Sequence, residues 1–215
     1  MAGKNSQKNG KELVATTYQT HFEKDKKFVK LIQQQGVLSL SQRKNLCIYL
    51  CGSIMSQQLS VKVAAVIYQR FLDLFNGKEP TPEQILSVPL EKLRSIGLSN
   101  AKSRYVHNVA QFAIDKGMDW KTLNKMSSEE VIEYLTEIKG VGRWTVEMLL
   151  MFALGRPDVF AIDDLGIQNA MIGIYKLSRD DKKKFKEDMI RISSKWSPYR
   201  TFACMHLWRW KDQPK

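Results

Sequence analysis

Cysteine is scarce in this chain of 215 residues, which holds only Cys47, Cys51 and Cys204. Three is an odd number, and no two of them form a Cys-x-x-Cys unit, so neither a disulfide framework nor a structural zinc site is predicted. Cys47 and Cys51 lie four residues apart in an apolar helical stretch, and we expect them to be reduced core residues, which favours an intracellular protein.

Long apolar runs are missing as well. No stretch approaches the roughly 18 apolar residues of a membrane-spanning helix, and the N-terminus lacks the apolar segment of a secretory signal. Residues 1–18 are predicted to be a basic, flexible lead-in, and residues 19–215 a folded domain.

Strand-like alternation is also absent, and the apolar periodicity is helical nearly throughout. Helix starts carry capping signals, such as Thr81 before Pro82 and Ser127 three residues before Glu130. The pattern predicts an all-α protein with about nine to eleven helices of ordinary length.

Acidic charge is in short supply, because 22 Asp and Glu stand against 34 Lys and Arg, a formal net charge of +12. A chain this basic favours polyanionic partners, either nucleic acid or an anionic membrane surface. Charge alone does not separate these two partners.

The stretch EIKGVGRWTVEM (137–148) places Gly140 and Gly142 between two helical segments. Thr145 occupies the place of the third glycine in a dinucleotide fingerprint, and no Gly-Lys-Ser/Thr phosphate loop follows. Two interpretations remain. One is an ordinary tight turn. The other is a helix–hairpin–helix, with Lys139 and Arg143 flanking a backbone that can approach a DNA phosphate.

A second motif, RPDVFAIDDLGIQ (156–168), places Asp163 and Asp164 directly before a helix. One of them should cap that helix, and an ordinary pair of capping acids is a sufficient reading of the motif alone.

Together the two motifs resemble the signature of the helix–hairpin–helix DNA glycosylase superfamily, in which a Gly-rich hairpin leads to an essential aspartate. Asp164 follows Gly140 by 24 residues. Three outlying stretches are similar to the alkylation-repair branch, the 3-methyladenine DNA glycosylases of type II, here without an N-terminal β-rich domain: SIMSQQLSVKVA (53–64), IGLSNAKSRYVHNVA (96–110) and WSPYRTFACMHLWRW (196–210). The resemblance implies a two-lobed, all-α fold with the active site in a cleft between the lobes.

The resemblance further implies that Asp164 is the catalytic carboxylate and Asp163 a supporting or capping acid. Cleavage of a base–sugar bond passes through an oxocarbenium-like transition state, which a carboxylate stabilises. An N3- or N7-alkylated purine already carries positive charge and leaves without a protonating acid. A second carboxylate is therefore not needed, and Glu147 is interpreted as a helix-surface residue.

Bifunctional relatives carry a lysine at the position of Trp144, which attacks the sugar, so no strand-nicking activity is expected here. Only Cys204 lies where the iron–sulfur branch has its cysteines, so no cluster is expected. We expect no required cofactor and no metal site, although hairpin carbonyls in this family, here those of residues 138–143, can hold a monovalent cation beside a phosphate.

Residues for DNA and base recognition also follow from the resemblance. Trp144, Met148 and Trp208 form the expected base pocket, with Met148 standing where some relatives have tyrosine and hydrophobic core as the alternative for Trp208. Gln58 would fill the gap left by a flipped base, unless it is part of a surface pair with Gln57. Arg200 matches a supporting arginine. The expected DNA contacts are Gln57, Gln58, Lys139, Gly140, Val141, Gly142, Arg143 and Thr145.

These features predict a monomeric, intracellular, DNA-associated glycosylase that flips alkylated purines of the 3-methyladenine and 7-methylguanine class out of duplex DNA and hydrolyses the glycosidic bond. Three alternatives stay open: a non-catalytic DNA-damage-binding homologue, a glycosylase for deaminated or oxidised bases, and a protein of the membrane surface.

Overall fold

The computed structural model describes residues 18–212, which are helical and contain no strand. Twelve α-helices have defined bounds within this range, and residues 18–22 are helical as well. In chain order the helices are α1 (Lys26–Gln35), α2 (Leu46–Ser56), α3 (Val61–Asp73), α4 (Pro82–Ser87), α5 (Leu90–Ser95), α6 (Asn100–Asp115), α7 (Trp120–Lys125), α8 (Ser128–Thr136), α9 (Arg143–Phe152), α10 (Leu165–Tyr175), α11 (Lys182–Ser193) and α12 (Arg200–Lys211), with a 3-10 helix at Ser194–Trp196.

The prediction of an all-α protein is confirmed, but the predicted number of helices was too low. Helices α4, α5 and α7 contain 6 residues each, about half of the mean length on which the expected number rested. None of the helices in residues 18–212 is long and apolar enough to cross a membrane.

Two compact units divide the described chain. The central unit is Gln42–Leu154, and the terminal unit comprises the described residues up to Ser41 together with those from Gly155 onward. All three cysteines are buried, as expected for Cys47 and Cys51, and within the described residues none of them forms a disulfide.

The terminal unit is built around aromatic side chains. The ring of Tyr18 stacks on Phe202 with centroids 4.2 Å apart, and its hydroxyl accepts a hydrogen bond from the Leu38 N–H at 2.7 Å. Trp196 is 1% exposed and belongs to this core. Residues 1–17 of the predicted lead-in lie outside the described residues, but Tyr18 is fully buried.

Local capping signals place several helices of the central unit. Thr81 and Ser127 both form capping boxes, with Gln84 and Glu130 as their reciprocal partners. Each such cap contributes about 1 kcal/mol. Short-range chemistry thus sets the start of α8, the helix that leads into the glycine hairpin.

Candidate active site and DNA-contact segments

The predicted hairpin connects α8 to α9 within the central unit. The Ile138 N–H donates to the Leu135 carbonyl at 3.2 Å, and the Val141 N–H donates to the Ile138 carbonyl at 2.9 Å. Gly140 has φ = +105°, a backbone conformation that L side chains rarely adopt. A Cβ at this position would lie 2.2 Å from Cγ of Tyr105. The turn therefore requires glycine for two independent reasons.

Helix α6 holds the hairpin through two side chains. The ring of Tyr105 lies against Gly140, and Asn108 Nδ2 donates to the Lys139 carbonyl at 2.9 Å. Both residues lie outside the hairpin motif, and Asn108 precedes Lys139 by 31 positions. The motif therefore gave no signal for either of them.

The start of α9 is open to a ligand. Gly142 is exposed, a Cβ added there would meet nothing within 4 Å, and glycine has no side chain to cap the first helical turn. Lys139 and Arg143 beside it are exposed as well. An uncapped helix N-terminus next to an accessible glycine suits a phosphate. Val141 differs, because its side chain is buried and its N–H is bonded within the turn.

Two carboxylates hold Arg143. Its Nη2 lies 2.5 and 2.9 Å from the carboxylate oxygens of Glu129, and its Nε lies 3.1 Å from Oε1 of Glu147. Glu147 is 3% exposed, so its interpretation as a helix-surface residue was wrong. Residues 145–151 of α9 are all buried, which leaves no solvent-facing side there. The guanidinium of Arg143 gives this buried carboxylate its counter-charge.

The predicted base-pocket residues of α9 differ in exposure. Trp144 is 42% exposed, whereas Met148 is 8% exposed. Tyr49 donates its hydroxyl to the Met148 carbonyl at 3.1 Å, and burial raises the pKa of Tyr49 to about 12, so this hydroxyl keeps its proton at neutral pH. Tyr49 also lines a cavity of about 620 Å³ beside α2 and α3. Trp144 therefore presents its ring to solvent, while Met148 packs in the core.

The Gln57–Gln58 pair lies in the turn between α2 and α3. Gln58 is exposed and has φ = +59°, an uncommon conformation for a residue with a side chain. Gln57 Nε2 donates to the Thr145 hydroxyl at 3.4 Å. Thr145 itself is buried, so its side chain links α9 to the turn. Lys102 of α6 also reaches this turn, a contact that no sequence signal indicated.

Asp164 is the N-cap of α10 in the terminal unit. Its Oδ1 accepts hydrogen bonds from the Ile167 N–H and from the indole N–H of Trp208, both at 2.8 Å. Trp208, predicted as a pocket wall, is half-buried and holds the carboxylate. A Cβ at Gly166 would lie 3.0 Å from Asp164 Oδ1 and 3.1 Å from Trp208 Cδ1. Glycine at position 166 leaves room for this contact.

Of the two adjacent acids Asp164 caps the helix, so of the two roles expected for Asp163 only the supporting one remains. Asp164 has the extended φ and ψ of an N-cap and directly precedes Leu165, the first residue of α10. Asp163 is exposed, and its Oδ1 lies 2.7 Å from Lys186 Nζ. The two adjacent acids thus have different partners.

Arg200 fixes the segment that precedes the two aspartates. Its Nε and Nη2 donate to the two carboxylate oxygens of Asp158 at 2.6 and 2.9 Å. Burial raises the pKa of Asp158, but the hydrogen bonds from Arg200 and Ser197 outweigh burial, and the pKa lies below its ordinary value. Thr201 adds a bond from its hydroxyl to the Arg156 carbonyl at 2.6 Å. A supporting role for Arg200 agrees with this geometry.

No cluster of three or more His, Cys, Asp or Glu side chains suited to a metal ion occurs within residues 18–212. In Asp164 the terminal unit offers a carboxylate whose Oδ1 is held by a backbone N–H and an indole N–H. Such a group can stabilise developing positive charge without reorganising.

The chain is similar to known proteins over most of its length. A family model described as HhH-GPD superfamily base excision DNA repair protein matches residues 51–195. DNA-3-methyladenine glycosylase 1 of Schizosaccharomyces pombe is 37% identical over 186 residues, which are 86% of this chain and 80% of that protein.

Two solved structures share the fold. The DNA-3-methyladenine glycosidase from Bacillus halodurans is 36% identical with a TM-score of 0.78, over 90% of this chain and 88% of that one. The 3-methyladenine DNA glycosylase of Schizosaccharomyces pombe in complex with abasic DNA is 34% identical with a TM-score of 0.79, over 90% of this chain and 95% of that one.

Proposed function

The chain belongs to the HhH-GPD superfamily of base excision DNA repair proteins, and from this premise we propose that it is a monofunctional DNA glycosylase for alkylated purines. It binds duplex DNA, flips a 3-methyladenine- or 7-methylguanine-type base out of the helix, and hydrolyses the bond between base and sugar. Relatives named for 3-methyladenine support this lesion class.

The observation that carries the proposal is the setting of Asp164. Its Oδ1 is fixed by the Ile167 N–H and the Trp208 indole, so the carboxylate is held before the reaction begins. In the proposed reaction it stabilises the oxocarbenium-like sugar as the base departs, and a water molecule completes hydrolysis. An alkylated purine leaves with the bonding electrons and neutralises its own positive charge, so no second acid is required.

The hairpin of the central unit supplies the proposed DNA grip. Exposed Gly142 and the N-terminus of α9 accept a phosphate, with Lys139 beside them. The exposed ring of Trp144 offers a π-face to a cationic base, an attraction of about 0.5–2 kcal/mol. Because a tryptophan stands where a nucleophilic lysine would be required, the DNA backbone stays intact.

The proposal also includes a monovalent cation at the hairpin, the oligomeric state and the cellular location. The Ile138 and Lys139 carbonyls each accept one hydrogen bond and retain a second lone pair, so the turn of residues 138–143 is compatible with a monovalent cation. Equal DNA affinity in potassium and in tetramethylammonium at one ionic strength would remove the ion from the proposal. A monomer is proposed because one active site per chain suffices for this chemistry. The free, buried cysteines and the basic charge support action on DNA in a bacterial cytoplasm or a eukaryotic nucleus.

The test is release of free base from methylated duplex DNA by the wild type, Asp164→Asn and Asp163→Asn. We expect the wild type to release 3- or 7-methylpurines and leave strands that break only after alkali. Asp164→Asn should lose release but retain DNA binding. Asp163→Asn is the matched control, since it alters an adjacent exposed acid whose partner is Lys186.

Other outcomes separate the alternatives. Wild-type binding without base release would favour the non-catalytic homologue, and preferential release of a deaminated or oxidised base would change the lesion class. Release that survives in Asp164→Asn and fails in Asp163→Asn would move catalysis to the neighbouring acid.

A further inference from the structure

The C-terminal end of α2 is closed by a lysine from another helix. Lys102 of α6 donates from Nζ to the Met55 carbonyl at 3.0 Å and to the Gln57 carbonyl at 2.7 Å. The last carbonyls of a helix have no intrahelical partners, and a cation at this end opposes the negative end of the helix dipole. Lys102 thus does here what a glycine cap does at other helix ends.

The residue that follows this closure is Gln58. Its backbone has φ = +59° although it carries a side chain, and residues held in such conformations depend on the surrounding structure to keep them there. One of the two carbonyls that Lys102 binds belongs to Gln57, the immediate neighbour of Gln58. Lys102 is therefore placed to fix the direction in which the Gln58 side chain leaves the turn.

The ammonium group is not neutralised by a carboxylate. Lys102 is half-buried and takes part in none of the ion pairs found among residues 18–212. Its identified partners are backbone carbonyls, and burial lowers its pKa from the ordinary value. A charge kept in this setting without a counter-ion points to a role that needs the charge or its donors at this turn.

A second contact ties the same turn to the hairpin. Gln57 Nε2 donates to the hydroxyl of Thr145, which lies in the first turn of α9 and is buried. The Gln58 turn and the glycine hairpin are thus joined inside one compact unit. A shift of the turn would also strain this bond at the start of α9.

We infer that Lys102 is a positioning residue for base extrusion. It holds the turn of residues 57–60 so that Gln58 enters the duplex at the gap left by the flipped nucleotide, while the hairpin grips the neighbouring backbone. The inference rests on the proposed function. It predicts that Lys102 acts on extrusion through Gln58, with a smaller effect on DNA binding.

The experiment compares Lys102→Met, Lys102→Arg, Gln58→Ala, the Lys102→Met/Gln58→Ala double variant and the control Lys125→Met. Lys125 is an exposed lysine of α7 in the same unit, so its replacement matches the loss of one charge. Two readouts are used on methylated duplex DNA: the single-turnover rate of base release, and the fluorescence of 2-aminopurine next to the lesion, which rises when the stack opens.

We expect Lys102→Met to reduce both the release rate and the fluorescence rise by about tenfold, the size of one lost charge-assisted hydrogen bond. Lys102→Arg should restore most of both signals, and Lys125→Met should match the wild type. The double variant should be no slower than the slower single variant, because the two side chains act in one step. The defect should shrink when the lesion lies opposite an abasic site, where extrusion requires less unstacking.

Additive defects in the double variant, or a Lys102→Met enzyme that opens the stack like the wild type, would overturn the inference. If Lys102→Met melts below the assay temperature, Lys102→Gln retains a neutral donor and carries the same comparison. Absence of base release by the wild type would instead count against the proposed function. The fluorescence series would still test Lys102 in that case.

Discussion

Replacing Gly140 by alanine tests whether the hairpin is clamped against α6. The new Cβ would lie 2.2 Å from Cγ and 2.6 Å from both Cδ atoms of Tyr105. These atoms belong to the near end of the ring, so a small tilt does not relieve the collision. The φ of +105° adds strain that persists even if the ring moves away.

The collision and the backbone strain together determine how much stability Gly140→Ala loses. Overpacking costs about 1–3 kcal/mol, and a side chain in an unfavourable backbone region costs about 1–3 kcal/mol. Together they lower the free energy of unfolding by about 2–6 kcal/mol, or the melting temperature by roughly 4–24 °C for a chain of this size. Thermal denaturation followed by circular dichroism measures the change.

Gly142→Ala is the matched control. Nothing lies within 4 Å of a Cβ there, and φ is −99°. Reduced freedom of the unfolded chain stabilises by about 0.4–1 kcal/mol, and a poorer N-cap offsets this by a similar amount. Stability should stay within about 1 kcal/mol of the wild type, while the added methyl group on the exposed turn weakens DNA binding.

A double-mutant cycle separates collision from strain. In a Tyr105→Ala background the additional loss caused by Gly140→Ala should fall to about 1–3 kcal/mol, the backbone part alone. A Gly140→Ala protein that melts within 2 °C of the wild type would refute the reasoning. An undiminished loss in the Tyr105→Ala background would show that the ring plays no part.

Three further predictions concern the terminal unit. Trp208→Phe retains the ring but removes the indole N–H that binds Asp164; single-turnover base release should fall by about tenfold or more with little change in melting temperature, and an unchanged rate would exclude this bond from catalysis. Gly166→Ala crowds Asp164 Oδ1 and Trp208 Cδ1, so the single-turnover rate of base release should fall. A variant that loses DNA affinity and keeps its rate of base release would contradict a local effect on Asp164. Burial, with a smaller contribution from the charge of Arg209, lowers the pKa of His206 from 6.5 to about 4. Between these two pH values the unfolded chain binds a proton at His206 and the folded chain does not. The free energy of unfolding should therefore fall by about 3 kcal/mol as the pH drops from 6.5 to 4. Urea unfolding measures that fall, and His206→Gln should flatten it.

Local features of this molecule were predictable from sequence. Helix starts such as those at Thr81 and Ser127 depend on residues three positions apart, and that chemistry is complete within one turn of chain. The family could be predicted because the hairpin and the aspartate that follows it form a motif of defined spacing. Both the family and the all-α fold were confirmed. The roles assigned to the site residues remain predictions.

Contacts between distant segments were not predictable. The indole that holds Asp164 lies 44 residues away, and the lysine that closes α2 lies 45 residues from Gln57. Spacing within one helix does not show which side chain another helix will bring. Glu147 was misread for a related reason, since helical periodicity assumes one solvent face and α9 is buried on all sides in that region.

The paired carboxylates around Arg143 have a consequence for the ionic-strength dependence of DNA binding. The guanidinium of Arg143 already forms ion pairs with Glu129 and Glu147, so it brings little net positive charge to a phosphate. Its contact with DNA therefore releases few of the cations condensed on the duplex. The slope of log K against log salt loses about 0.9 for each phosphate that is not neutralised. In the proposed complex Arg143 therefore adds little to this slope, and lysines such as the exposed Lys139 beside it account for more of it.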